Sequence, residues 1–244
     1  MGGHSKGQNI TVAFGAGIDR RSVADQTFQH LRAAILSGKI PQGARVIEAQ
    51  IAKTLDISRA PVREAVNRLL QEGLLESRTH HGPSVIQMTP EKIRWLYDLR
   101  AAIEALAIRD VVRQRSKLDL SPLRATVAQM KRFAAKKDLD RLVQTELEFH
   151  RTLCHLAGNP YIVQVSNIID AQVRMALTID NANYPNLKDV ADEHEPIIAA
   201  IEAGDAKGAG LFISAHILSS LKAIEAAKAA ASQSRPARSS RARA

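Results

Sequence analysis

Leu55-Asp56-Ile57-Ser58-Arg59-Ala60-Pro61-Val62-Arg63-Glu64-Ala65-Val66-Asn67-Arg68-Leu69-Leu70-Gln71-Glu72-Gly73 is the stretch that decides the fold. Ser58 carries the side chain of an N-cap, able to accept a bond from a free backbone N–H of the first helical turn. Pro61 falls within that turn, where a missing N–H costs little. Val62, Ala65, Val66, Leu69 and Leu70 recur at helical spacing and predict one buried stripe. Gly73 stands where a glycine ends a helix. Arg59, Arg63 and, a turn and a half further on, Asn67 or Arg68 lie off the stripe. Burial does not need them, whereas a helix whose N-terminal residues enter a major groove does.

Working outward, a first helix is expected from about Ser22 to Ser37, then a turn over Lys39 to Ala44, then a short helix over Glu48–Leu55 that packs on the third. Beyond Gly73, Leu74–Arg78 and Ser84–Met88 read as two strands joined by Thr79-His80-His81-Gly82-Pro83, with Gly82 supplying a positive φ. Three helices and a hairpin over residues 20–88 predict a winged helix-turn-helix. Its tip residues His80, His81 and Gly82 would lie beside a duplex, near phosphates or the minor groove. Ordinary exposed loop histidines are the alternative.

From Thr89 onward only helices are expected. Thr89-Pro90-Glu91 combines a capping Thr, an early Pro and an acid near the helix dipole. That helix should run to about Arg115 with Leu96, Leu99, Ile103, Leu106 and Val111 as its stripe. Five more follow at about 121–136, 138–157, 160–181, 187–203 and 205–229, making an antiparallel bundle over 89–230. The fold class is therefore mainly α: an N-terminal winged helix-turn-helix followed by an antiparallel all-α helical bundle. Residues 1–19 are Gly-rich and aperiodic, and read as a disordered arm. Residues 231–244 hold four arginines among Ser, Pro and Ala, and read as a basic disordered tail with affinity for phosphate.

The net charge of +9 is unevenly placed: the surplus lies in residues 19–88 and the tail, while the bundle is close to neutral. That points the N-terminal part at a polyanion, double-stranded DNA in this context. The single cysteine, Cys154, leaves no internal disulfide, and no apolar run approaches the length of a membrane span. A soluble cytoplasmic protein with no membrane partner is the expectation.

The bundle holds a second constellation. Glu146 and His150, four apart, project from one helical face; His194 is expected near the middle of the fifth bundle helix and His216 midway along the sixth. Three imidazoles and one carboxylate suit Zn²⁺, Ni²⁺ or a similar divalent ion, but spacing alone does not bring them together. Each histidine taken singly is as well explained as a core or surface residue.

These blocks resemble the GntR family of bacterial transcription regulators, in its FadR-type branch. The resemblance rests first on Ile35-Leu36-Ser37-Gly38-Lys39-Ile40, Ser58-Arg59-Ala60-Pro61-Val62-Arg63-Glu64-Ala65 and Glu72-Gly73-Leu74. The second half is similar to an FCD effector-binding domain, in a VanR-like six-helix version, through Glu146-Leu147-Glu148-Phe149-His150, Ala157-Gly158-Asn159-Pro160, Glu193-His194-Glu195-Pro196-Ile197 and Ala215-His216. It implies that Ser58, Arg59 and Arg63 meet DNA with Gly82 in the wing, and that Glu146, His150, His194 and His216 hold a divalent metal ion. It also implies that Arg100 pairs the carboxylate of a small organic acid effector, and that the regulator, most simply a repressor, acts as a homodimer on a two-fold operator. Two departures stand out: Glu146 replaces the family's usual Asp, and His80-His81 precedes the wing glycine where an arginine is common. The residues also allow a metal-dependent enzyme tethered to DNA, or a purely structural metal. Against an enzyme, the chain offers no phosphate loop, nucleophile motif or additional general base.

Overall fold

The computed structural model describes residues 22–78, 82–181 and 186–233. The N-terminal unit begins with α1 (Val23–Leu36), opened by a capping box in which Ser22 and Asp25 bond each other's backbone N–H. Thr27, Phe28, Leu31 and Ile35 form its buried face, while Val23 is exposed. α2 (Glu48–Leu55) ends on Asp56 in the left-handed region, φ 52°, which makes the tight turn into α3 (Arg59–Gln71). Val62, Ala65, Val66 and Leu69 are buried as the stripe predicts. Gly73, φ 66°, closes α3 with a paired cap: its N–H bonds the Leu70 carbonyl and the Leu74 N–H reaches back to that of Leu69. A side chain at Gly73 would also run into Gln172 of the helical unit.

The wing is β1 (Leu75–Arg78) paired antiparallel with β2 (Gly82–Val85), in a register that sets Leu75 opposite Val85 and Arg78 opposite Gly82. The second strand starts two residues earlier than expected and stops at Val85. Residues 43–46, read from sequence as the end of a turn and the chain after it, lie along its other edge. Val46 donates to the Pro83 carbonyl and Val85 to that of Ala44, each at 2.9 Å, with Arg45 bridged to Ser84. An unpaired wing edge is thereby covered. His80 and His81 lie outside the described residues, as do the N-terminal arm and most of the basic tail.

The helical unit comprises α4 (Pro90–Gln114), α5 (Ser121–Ala135), α6 (Leu139–Leu156), α7 (Pro160–Asn181), α8 (Leu187–Asp192), α9 (Glu195–Ala203) and α10 (Ala206–Gln233). Thr89 caps α4 by accepting from the Lys92 N–H. The expected fifth bundle helix is two helices, so the described unit has seven where six were expected. Pro196 is the physical reason. It has no N–H to give the carbonyl of Asp192 and its ring crowds that carbonyl, so the chain turns at Glu193–His194 before restarting. The stripe of α4 is also rotated from the expected one. Tyr97, Arg100, Glu104, Ala107 and Ile108 face inward beside Leu96 and Val111, while Leu99 and Leu106 face out. No helix among the described residues is long and apolar enough to cross a membrane.

Candidate functional site

The first candidate surface is the N-terminal end of α3. Ser58 holds the N-cap position with extended backbone angles, but its hydroxyl makes no capping bond. The first-turn N–H groups of the helix thus keep their partial positive charge outward. Ser58, Arg59, Ala60 and Arg63 are exposed and Pro61 is half-buried. Arg59 reaches only Glu48, at 4.0 Å, and the first turn has no acid. Arg68 is not part of this surface. It bonds Asp25 at 2.6 Å and lies over the Phe28 ring, 4.0 Å from the centroid, which ties α3 to α1. Arg68, expected from sequence among the DNA contacts, lies ten residues into the helix on the side that faces α1. Gly82 has a φ of 71° and open space around it.

The second candidate lies inside the bundle, where four residues from three places in the chain form one donor set. Glu146 and His150 come one turn apart on α6, His194 from the break between α8 and α9, and His216 from α10. One potential ligand atom from each falls within 4.8 Å of the others, and all four side chains are buried. Convergence follows from how each ring is held. His150 Nδ1 faces Glu104 Oε2 at 2.5 Å, His194 Nδ1 faces the Val190 carbonyl at 2.7 Å, and His216 Nδ1 faces Glu193 Oε2 at 2.9 Å. With Nδ1–H donated outward, Nε2 is the lone-pair nitrogen of each ring. The Nε2 atoms of His150 and His194 stand 3.3 Å apart, and His216 Nε2 is 3.9 Å from Glu146 Oε1. Asn181 holds the other Glu146 oxygen by donating Nδ2–H at 2.7 Å. Phe149 packs edge-on against the rings of His150 and His194 and walls off that side.

Electrostatics favour the neutral form of His150 and His194. Burial pushes the His150 imidazole down to about 4, and the Arg100 cation pushes the same way against Glu104. His194 is held well below its ordinary value by burial and by the other two histidines. Burial raises the Glu146 carboxyl. Burial works against ionised Glu104 too, but His150 and Arg100 outweigh it and hold that carboxyl at about 2. A cluster of neutral Nε2 lone pairs and a carboxylate short of positive charge is the donor chemistry of a first-row divalent ion. The four residues could therefore hold one.

Arg100 lies next to this centre. Its Nε bonds Glu104 Oε1 at 2.8 Å, while its buried Nη2 has no hydrogen-bond partner. It is thus both an internal ion-pair member and a donor with spare capacity. Glu104, Asn181 and Glu193 were missed from sequence. Glu104 had a signal, being one turn beyond Arg100 on the same helix, and Glu193 is adjacent to His194; Asn181 had none. His155, one residue off the face of His150, is exposed.

Known proteins agree with both halves. The sequence pattern of bacterial regulatory proteins of the gntR family matches residues 23–85, and that of the FCD domain matches residues 95–219. The chain is 32% identical over 206 residues to a probable D-xylose utilization operon transcriptional repressor of Paenarthrobacter nicotinovorans, covering 84% of this chain and 90% of that one. It is 27% identical over 197 residues to a gluconate operon transcriptional repressor of Bacillus subtilis (77% and 79% covered). Among solved structures, a GntR regulator from Rhodococcus sp. RHA1 superposes with a TM-score of 0.69 at 23% identity, covering 84% of this chain and 98% of that one. Escherichia coli McbR/YncC gives 0.69 at 18%, covering 85% and 99%. These two likenesses speak for the fold.

Proposed function

Because the chain belongs to the gntR family of bacterial regulatory proteins and carries an FCD domain behind its DNA-binding unit, and is thus a DNA-binding transcription regulator rather than an enzyme, we propose that it is a repressor released by a small organic acid bound at a metal centre in the bundle. The observation that carries this reading is the buried set of Glu146, His150, His194 and His216 beside a guanidinium with an unused donor. A divalent ion held there supplies a Lewis-acidic centre to which a carboxylate oxygen can bind. The protein's own part is to orient the three Nε2 atoms, exclude water with Phe149, and offer Arg100 Nη2 to the acid.

Space explains how binding would reach the DNA-binding unit. The cavity beside Arg100, Glu104 and His150 measures about 20 Å³, and the Arg151–Asp170 pair, joined by two hydrogen bonds of 2.6 Å, is part of its lining. That is room for about one water. An acid entering it must part α4, α6 and α7, so it favours one arrangement of the bundle over another and shifts operator affinity by that difference. On the DNA side, Ser58, Arg59, Ala60, Pro61, Arg63 and Gly82 form the contact set, with the arginines suited to guanine edges or phosphates. His80 and His81, outside the described residues, complete the set expected from sequence.

A structural metal is the one rival with an observation behind it, since four protein donors can close a tetrahedral sphere. Fluorescence anisotropy on an operator duplex, with Ni²⁺- or Zn²⁺-loaded protein and a panel of small acids, separates the two. An acid that weakens DNA binding in a metal-dependent way supports the regulator; DNA affinity indifferent to every acid supports the structural metal. In the same assay Arg63→Ala should lose at least tenfold in operator affinity, whereas Arg68→Ala should cost about 1 kcal/mol of stability with a much smaller effect on binding.

A further inference from the structure

Arg45 is an arginine that neither site uses. It stands in the chain 43–46 along the outer edge of the wing, bridged to Ser84 of β2. Side chains alternate across a sheet, and Val46, Val85 and Leu75 are buried on the core side. Arg45, Ser84 and Glu76, paired across the strands, therefore form a row on the opposite face. Nothing in that row holds the guanidinium. Its one acid, Glu76, is bonded by Lys92 at 2.8 Å, and Ser84 Oγ is buried and takes no hydrogen bond. Arg45 is exposed, with no ion pair or side-chain hydrogen bond among the described residues.

Its place in the chain matters as much as its freedom. Gly82 of the wing lies two residues along β2 from Ser84, about 7 Å at the usual rise of a strand. In the other direction the chain enters α2 and reaches Glu48, whose carboxylate is 4.0 Å from Arg59 at the open end of α3. Three residues span at most about 10 Å. Arg45 thus sits between the recognition helix and the wing glycine. A helix in the major groove and a wing at the neighbouring minor groove straddle a sugar-phosphate strand. A cation held between them meets that strand and not the base edges.

We propose that Arg45 grips a backbone phosphate of the operator between the contacts made by α3 and the wing, and reads no base. The proposal rests on reading α3 and the wing as the DNA face, and adds the group that registers the two on one strand. Two backbone bonds of 2.9 Å, from Val46 to Pro83 and from Val85 to Ala44, fix the chain on either side of Arg45 to β2. A guanidinium so anchored offers paired N–H donors to phosphate oxygens, and its pose is set by the wing.

The test is fluorescence anisotropy of the full chain on two duplexes, one selected by the wild-type protein from a random library and one scrambled, over about 50 to 200 mM KCl. Arg45→Ala should weaken both duplexes by a common factor, about threefold or more at low salt, and flatten the slope of log affinity against log salt by about one per bound protomer. Arg45→Lys keeps the charge and should hold the wild-type slope. Arg113→Ala removes an exposed cation about 30 Å along α4 from Lys92, well beyond a Debye length, and should change neither quantity. An unchanged slope in Arg45→Ala overturns the proposal. So does a loss confined to the selected duplex, which makes Arg45 a reader of bases, or an equal loss in Arg113→Ala, which makes net charge the cause. Arg45→Gln is read in the same way should alanine disturb the edge strand. Arg63→Ala keeps the two readings apart. If it binds both duplexes as wild type does, the DNA face itself lies elsewhere; if it loses the preference for the selected duplex while Arg45→Ala changes nothing, only the phosphate contact is wrong.

Discussion

Each imidazole of the bundle cluster is useful because of an acceptor behind it, and the three acceptors differ in how firmly they hold. Val190 presents a helix carbonyl, and Glu104 is buried between His150 and Arg100, but the Glu193 side chain is one-third exposed. Glu193→Ala should therefore leave the fold intact and lower metal affinity roughly tenfold, since outer partners of ligating histidines typically contribute 10–100-fold. Competition with a chromophoric chelator measures it, and unchanged affinity would mean that Glu193 does not orient His216. The same neutrality has a consequence for stability. In the unfolded chain His150 protonates near 6.5, whereas folded it stays neutral to about 4. Between those values the unfolded state binds more protons, so this contribution is complete above pH 6.5 and is lost as pH falls toward 4. Metal-free protein should melt several degrees lower at pH 5.0 than at 7.5, and a folded His150→Gln variant should show a flatter dependence. The four donor residues were visible in the sequence by type, but their convergence was implied only by the family resemblance. Glu104 and Asn181 were not visible, because a glutamate or asparagine in a helix usually faces water, and only the packing of α4 and α7 against α6 turns these two inward.

At the scale of elements, the recognition helix was readable almost to the residue because local signals agree: an N-cap serine, an early proline, an apolar stripe and a left-handed glycine. Where they conflict, periodicity misleads. Residues 187–203 keep helical spacing across Glu193–His194, yet Pro196 breaks the ladder, and His194 owes its direction to that break. The α4 stripe was misplaced because its leucines are on the wrong face for burial: Leu99 and Leu106 are 46% and 39% exposed while Arg100 and Glu104 are inside. The bridge that Arg45 makes to the wing was missed because edge pairing is a non-local property. The break yields a prediction. Pro196→Ala restores an N–H and removes the ring clash, so α8 and α9 can merge and swing the His194 ring off its axis. Helix content by circular dichroism should rise slightly or hold, while metal affinity falls about tenfold or more. Equal or tighter metal binding would show that the bend does not aim His194.

At the scale of the whole molecule, one observation remains outside both sites. Trp95, Leu99 and Leu106 on α4, with Tyr161, Val165 and Ile168 on α7, are exposed large apolar residues on two neighbouring helices. Arg100 and Glu104 share a cleft with Ser166 and Asp170, and Arg109 shares another with Tyr161, so the two helices lie side by side and run antiparallel. A contiguous apolar face of this kind marks an association surface. If the chain acts on the two-fold operator that the sequence resemblance implies, a second copy of the chain is the occupant that fits it. Doubling Leu99→Glu with Leu106→Glu places two charges at the centre of that face without touching the inward stripe. By light scattering wild type should run as a dimer and the variant as a monomer, with the variant's metal stoichiometry equal to that of wild type. Its operator affinity should drop at least tenfold, because each recognition helix must then bind its half-site without the other. A variant that stays dimeric moves the interface elsewhere on the molecule. A monomer that keeps full operator affinity separates dimerisation from DNA binding and removes the two-fold reading.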